Sequence, residues 1–156
     1  MTTSTASDST FHTLDAESCF FALTLPRGLR EEAAEMSWRQ FCDTYAPTGR
    51  IRLGSWSAER CGLGQWTYET TFGVGDSIRR ATATASGPMS ALTGLLYDAG
   101  CAIEILGFHQ QPFGDRTATL LLCEAGGRTG WAFGLGDDTT ESALHAMISA
   151  ANRLYG

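Results

Sequence analysis

An internal repeat constrains this chain more than any other feature. SGPMSALTGLLYDAG, from Ser86, aligns with DTTESALHAMISAAN, from Asp138, at an offset of 52. Ser90-Ala91-Leu92 recurs as Ser142-Ala143-Leu144. The apolar positions Ala91, Leu92, Leu95, Leu96 and Ala99 recur as Ala143, Leu144, Met147, Ile148 and Ala151. Three- and four-residue spacing puts each set on one face of a helix, so the pattern predicts two helices with equivalent buried stripes.

The same offset maps Ile51 onto Ile103 and Leu53 onto Ile105, at the head of each unit. Between head and helix each unit carries three strand-like runs, at about 51–59, 64–73 and 78–85, then at about 102–109, 116–124 and 128–134. Residue-by-residue alternation is clearest in WTYETTF (66–72) and from Arg79 to Ala85, with glycine-rich turns between runs. The expected architecture is therefore α+β: two βββα units, 50–100 and 101–156, packed about a pseudo-twofold axis. One unit alone leaves a sheet face uncovered, so two must pair.

Upstream lies a different piece, over 11–48. Pro26 to Tyr45 reads as helical with a break near Ser37, where Ser37-x-x-Gln40 forms a capping box. Residues 11–25 are apolar but irregular and carry no assignment, and the small polar residues 1–10 predict a disordered tail. The balance of 11 basic against 17 acidic residues gives a net charge of -6, which argues against nucleic acid or an anionic membrane as partner. No apolar run reaches the length of a membrane span, and the N-terminus has no secretory pattern. Cys19, Cys42, Cys61, Cys101 and Cys123 are widely spaced, with no Cys-x-x-Cys pair. They predict buried thiols in a reducing cytoplasm and no metal site. No phosphate-binding loop or other cofactor motif is present, so no cofactor is expected.

Several stretches together carry a family resemblance: MSWRQFCDTYAP, RATATASGPMSAL, GCAIEILGFHQQ and GWAFGLGDDTTESALHAMISAANRL. They resemble the C-terminal regulatory, leucine-binding and dimerisation domain of 2-isopropylmalate synthase, and LTLPRGLREE is similar to the end of the linker before it. The likeness covers about residues 23–156. It implies a stand-alone regulatory domain without the metal-dependent catalytic barrel, a homodimer, and a ligand held near the starts of the two repeat helices. Helix N-termini present unpaired N–H groups and a partial positive charge to a carboxylate, which gives that location a physical basis.

Carried over onto this chain, the implied binding residues at the first junction are Ser86, Gly87, Pro88 and Met89. At the second they are Gly136, Asp138, Thr139 and Thr140. The first strand of the second unit adds Ile105, Phe108, His109 and Gln111, in a segment followed by a short loop. Where the family has Gly-Asn-Gly-Pro, this chain keeps Gly87-Pro88 and has Ser86 for asparagine. Its second junction is more acidic than the family's, which implies an altered pocket.

Each of these features also has a plainer reading. Gly87-Pro88 suits any helix start. Asp137 and Asp138, with Glu141 in the first turn, suit an N-cap and the helix dipole. Glu69 and Arg79 read as outward-facing strand residues, and Trp56, Trp66, Tyr68, Trp131 and Phe133 as core or dimer contacts. The leading functional expectation is a homodimeric domain that binds a small amino-acid-like or acyl metabolite, cytoplasmic and without nucleic acid or membrane. The alternative is a cofactor-independent cyclase, isomerase or condensing enzyme of specialised metabolism in the same pocket, with His109, Asp137 and Asp115 as its catalytic candidates.

Overall fold

A computed structural model describes residues 16–155 of the chain; the expected tail at 1–10 lies outside them. The chain begins with three short helices: α1 (16–22), α2 (Arg27–Glu32) and α3 (Trp38–Tyr45). The break between α2 and α3 falls where the sequence places it. Ser37 Oγ accepts from Gln40 N at 3.1 Å while Gln40 Oε1 accepts from Ser37 N at 2.8 Å, so both arms of the capping box form. The segment without a sequence assignment contains α1, whose Phe20 is buried against Phe41 and Trp38.

The two βββα units follow. The first holds β1 (Ile51–Gly62), β2 (Gln65–Val74), β3 (Ser77–Ala85) and α4 (Pro88–Asp98). The second holds β4 (Glu104–Phe113), β5 (Arg116–Ala125), β6 (Arg128–Gly136) and α5 (Thr139–Tyr155). Each forms its own antiparallel three-stranded sheet, in the order β1-β2-β3 and β4-β5-β6. The duplication extends to an irregularity: both first strands shift register at the same place, between Leu53 and Trp56 and between Ile105 and Gly107. Leu53 pairs with Phe72 and Ile105 with Cys123, so the first strands keep the offset of 52 while the second strands run at 51. The extra residue of the first unit is taken up within β1, which has a second register shift, between Arg60 and Gly62, that β4 lacks.

The main core forms where the inner faces of both sheets meet α4 and α5. Ile51, Phe72, Leu121 and Cys123 from the strands pack with Leu92, Leu96, Leu144 and Met147 from the helices. A second core lies on the other face of β4-β5-β6, where Phe113, Leu120 and Phe133 meet Phe20, Leu29, Phe41 and Tyr45 of the leading helices. That sheet is covered on both faces, and β5 is accordingly buried over Ala118–Leu121. Each fully buried leucine there contributes about 2 kcal/mol.

Small residues on β6 set how closely α5 approaches. Gly130, Ala132, Gly134 and Gly136 occupy one face at a period of two. A Cβ at Gly134 would lie 2.2 Å from Ala146 N, and one at Gly136 would lie 2.4 Å from Ser142 N. The helix backbone thus rests directly on the strand. Its far end is tied to β1 by Asn152, whose side-chain amide accepts from Ile51 N and donates to Ile51 O, both at 2.8 Å.

Two expectations need adjustment. β4 does not stop near 109 but runs to Phe113; Pro112 is tolerated because β4 is an edge strand. Cys101 and Cys123 are buried thiols, but Cys42 is only partly covered and Cys61, near the end of the β1–β2 hairpin, is exposed. Of the aromatics read as core or dimer contacts, Tyr68, Trp131 and Phe133 are buried and Trp66 is 36% exposed. No described helix is long and apolar enough to cross a membrane.

Candidate functional site

The starts of α4 and α5 face a common cleft of about 350 Å³. The α4 side supplies Ser86, Gly87, Pro88, Met89 and Ser90; the α5 side supplies Thr139, Thr140 and Ala143. Phe108 and Gln110 of β4 complete the lining. The two helix starts are chemically unlike. At α4 the N-cap is Gly87, in extended backbone with no side-chain cap, and the first turn holds no acid. Pro88 has no N–H to lose, so the unpaired donors are the N–H groups of Met89 and Ser90. A Cβ at Gly87 would meet nothing within 4 Å, so the space beside this junction is open.

At α5 the end is already satisfied. Asp138 Oδ1 accepts from Glu141 N at 2.8 Å, and Asp138 O accepts the first helical bond, from Ser142 N. Asp138 is thus the N-cap that the plainer reading of the sequence anticipates. One member of the duplicated junction is open to an incoming acceptor, and the other is closed by its own carboxylate.

Gln110 fixes the floor. Its Nε2 donates to Thr119 Oγ1 at 2.9 Å and to the carbonyl of Thr139 at 2.8 Å, joining β4 to the first residue of α5. Thr119 Oγ1 lies 2.6 Å from Ser142 Oγ, which donates to Gly134 O at 3.1 Å. Thr119 and Ser142 are fully buried, so the chain of hydrogen bonds satisfies polar groups that would otherwise be costly to bury.

Of the implied binding residues, Ser86, Gly87, Pro88, Met89, Phe108, Thr139 and Thr140 come together at this cleft. Ile105 packs against the main core, and Gly136 lies under the Ser142 backbone. His109 and Gln111 are on the opposite face of β4. His109 sits with its ring centroid 6.0 Å from that of Trp131, and Gln111 clamps Thr24, accepting from its N at 2.9 Å and donating to its O at 2.8 Å. Asp137 is 84% exposed at the side chain, 3.9 Å from Arg116, and Asp115 is exposed in the β4–β5 turn. The three catalytic candidates therefore do not line the cleft. Sequence reasoning missed Gln110, Ser90 and Ala143. Strand alternation carried the signal for Gln110, since it shares a face with Phe108 and not with His109.

Glu69 lies on the polar outer face of the first sheet, in a shallow depression with Ser55, Ser57, Thr71, Arg80 and Thr82. Among the described residues, no group of three His, Cys, Asp or Glu side chains is placed to hold a metal ion.

The chain is thus a duplicated βββα domain with a cleft between its two helix starts. No family model matches the chain. In sequence it is 29% identical over 136 residues to 2-isopropylmalate synthase of Renibacterium salmoninarum, and 32% identical over 134 residues to that of Arthrobacter sp. strain FB24. It is 27% identical over 127 residues to the Thermobifida fusca enzyme. These matches cover 79% of this chain but only 22–23% of each synthase. The chain resembles the regulatory domain of 2-isopropylmalate synthase.

Proposed function

We propose that this chain is a homodimeric small-molecule-binding domain, similar to the allosteric domain of 2-isopropylmalate synthase, with an altered pocket at the starts of α4 and α5. The ligand class is a small amino-acid-like or acyl carboxylate. One observation carries the reading: the N–H groups of Met89 and Ser90 are left uncapped beside an open Gly87, at the mouth of a 350 Å³ cleft. A carboxylate there completes the helix start as a capping side chain would. Phe108, 44% exposed, offers an apolar wall for a branched hydrocarbon.

Binding is favoured over catalysis because the cleft contains no charged side chain, and His109, Asp115 and Asp137 lie elsewhere. Exposed Leu106 and Phe108 on edge strand β4 support pairing with a second copy. Residence in the cytoplasm suits the buried thiols of Cys101 and Cys123. The test is a thermal-shift panel of branched amino acids and 2-oxo acids at millimolar concentration. A rise in Tm with at least one acid is expected; silence across the panel refutes the proposal.

A further inference from the structure

The hydrogen bonds on the floor of the α4–α5 cleft can run in only one direction. Gly134 O is a carbonyl and can only accept, so the single proton of Ser142 Oγ goes to it, at 3.1 Å. Ser142 Oγ then accepts from Thr119 Oγ1, 2.6 Å away. With its own proton committed, Thr119 Oγ1 accepts from Gln110 Nε2, at 2.9 Å. The second Nε2 proton goes to Thr139 O, another carbonyl, at 2.8 Å. A flipped amide would set its oxygen against Thr139 O and against a hydroxyl with no proton left to give. Both ends of the chain of bonds therefore fix the Gln110 amide the same way.

The oxygen of that amide is left over. Among the described residues no donor reaches Gln110 Oε1, while both protons of Nε2 are engaged. No buried side-chain oxygen of the described residues lacks a partner, so Oε1 is not sealed in; it opens on the cleft that Gln110 lines. The repeat counterpart of Gln110 in β1 is Ala58, so this acceptor has no copy in the first unit.

The cleft thus has a fixed polarity. Its α4 wall presents the N–H groups of Met89 and Ser90, and its floor presents an amide acceptor. No charged side chain lines it; Asp138, beside Thr139, turns its carboxylate to Glu141 N at 2.8 Å. Three substituents next to a ligand carboxylate meet this arrangement differently. A keto oxygen can only accept and would face Oε1 unpaired. An ammonium can donate, but it gives up hydration with no carboxylate in the cleft to balance its charge. A hydroxyl donates to Oε1 and brings no charge.

We infer that Gln110 Oε1 determines the specificity of the cleft and that the ligand is a branched 2-hydroxy acid. The carboxylate caps α4, the hydroxyl donates to Gln110 Oε1, and the hydrocarbon lies on Phe108. The place of the hydroxyl depends on the carboxylate site proposed at the α4 start.

The test is calorimetry of the full chain with three acids that share one carbon skeleton: 2-hydroxy-4-methylpentanoate (each enantiomer), 4-methyl-2-oxopentanoate and leucine. One enantiomer of the hydroxy acid is expected to bind about three- to tenfold more tightly than the oxo acid and leucine. Gln110→Met should bring the hydroxy acid down to the affinity of the oxo acid and leave the oxo acid within about twofold of its value for the parent. A purely structural role for Gln110 would weaken both alike. An oxo acid or leucine that binds as tightly as the better enantiomer overturns the inference, and so does a Gln110→Met chain that keeps the preference. Binding by none of the three removes the carboxylate site itself, and the hydroxyl assignment with it. The comparison among ligands uses the parent chain, so it decides even if Gln110→Met fails to fold.

Discussion

A methyl group added at Gly134 would lie 2.2 Å from the Ala146 backbone nitrogen and 2.6 Å from the Ser142 carbonyl oxygen. Backbone cannot step aside as a flexible side chain can. Gly134→Ala is expected to lower stability by at least about 2 kcal/mol in urea unfolding, because α5 must lift from β6. At Gly94, on the exposed side of α4, a Cβ meets nothing within 4 Å, and Gly94→Ala should add about 0.5–1 kcal/mol through helix propensity. The sequence shows both glycines but not this difference, which emerges only when the strand's period of two is matched to a helix face. Cys123 gives the residue scale a pH signature. Burial pushes its thiol from 9.0 up to about 11. The folded state therefore holds this proton more tightly than the unfolded one. The stabilisation is complete below about pH 9 and lost as pH rises toward 11. Burial, followed by the nearby Asp43 carboxylate, pushes Cys42 up to about 11 as well. Thermal melts should be level up to about pH 8.5 and decline above pH 9; Cys123→Ala should remove part of that decline.

At the scale of elements, the two helix starts separate a structural role from a binding role. Asp138→Ala removes the cap of α5 and should cost about 1 kcal/mol, while Asp138→Asn should be close to neutral. Placing an acid at the open start has a different consequence. Gly87→Asp puts a carboxylate where the proposed ligand's would sit, and the space for it exists. The variant should be as stable as the parent or slightly more so. It should also lose at least tenfold in affinity for any acid that binds the cleft, as read by calorimetry. Parent-like acid binding by this variant would move the ligand away from α4. The two repeat helices, the capping box and the three strands of each unit could be read from apolar period and turn residues alone. Which β4 residues reach the cleft could not. Ending the strand near 109 cut off the alternation that separates Phe108 and Gln110 from His109 and Gln111, and the register became visible only with β4 paired to β5.

At the scale of the whole molecule, duplication explains most of the architecture and its departures explain the site. Offset, buried stripes and bulge position all repeat, which is why the α+β fold with two βββα units could be anticipated from the SAL triplets and the strand heads. The leading helices have no copy in the first unit. They cover the outer face of β4-β5-β6 and leave that of β1-β2-β3 polar, so the two sheets are not interchangeable. If Leu106 and Phe108 serve a self-association surface, sedimentation should show a dimer in the parent and a shift toward monomer in Leu106→Glu. The central claim is that the open start of α4 receives a carboxylate. Its most direct measurement is a crystal structure of the chain grown with the branched acid that stabilises it most in the thermal panel. Ligand density is expected in the cleft, with carboxylate oxygens within hydrogen-bond distance of the Met89 and Ser90 amides. Density for the acid at any other place, with this cleft empty at saturating concentration, would contradict it.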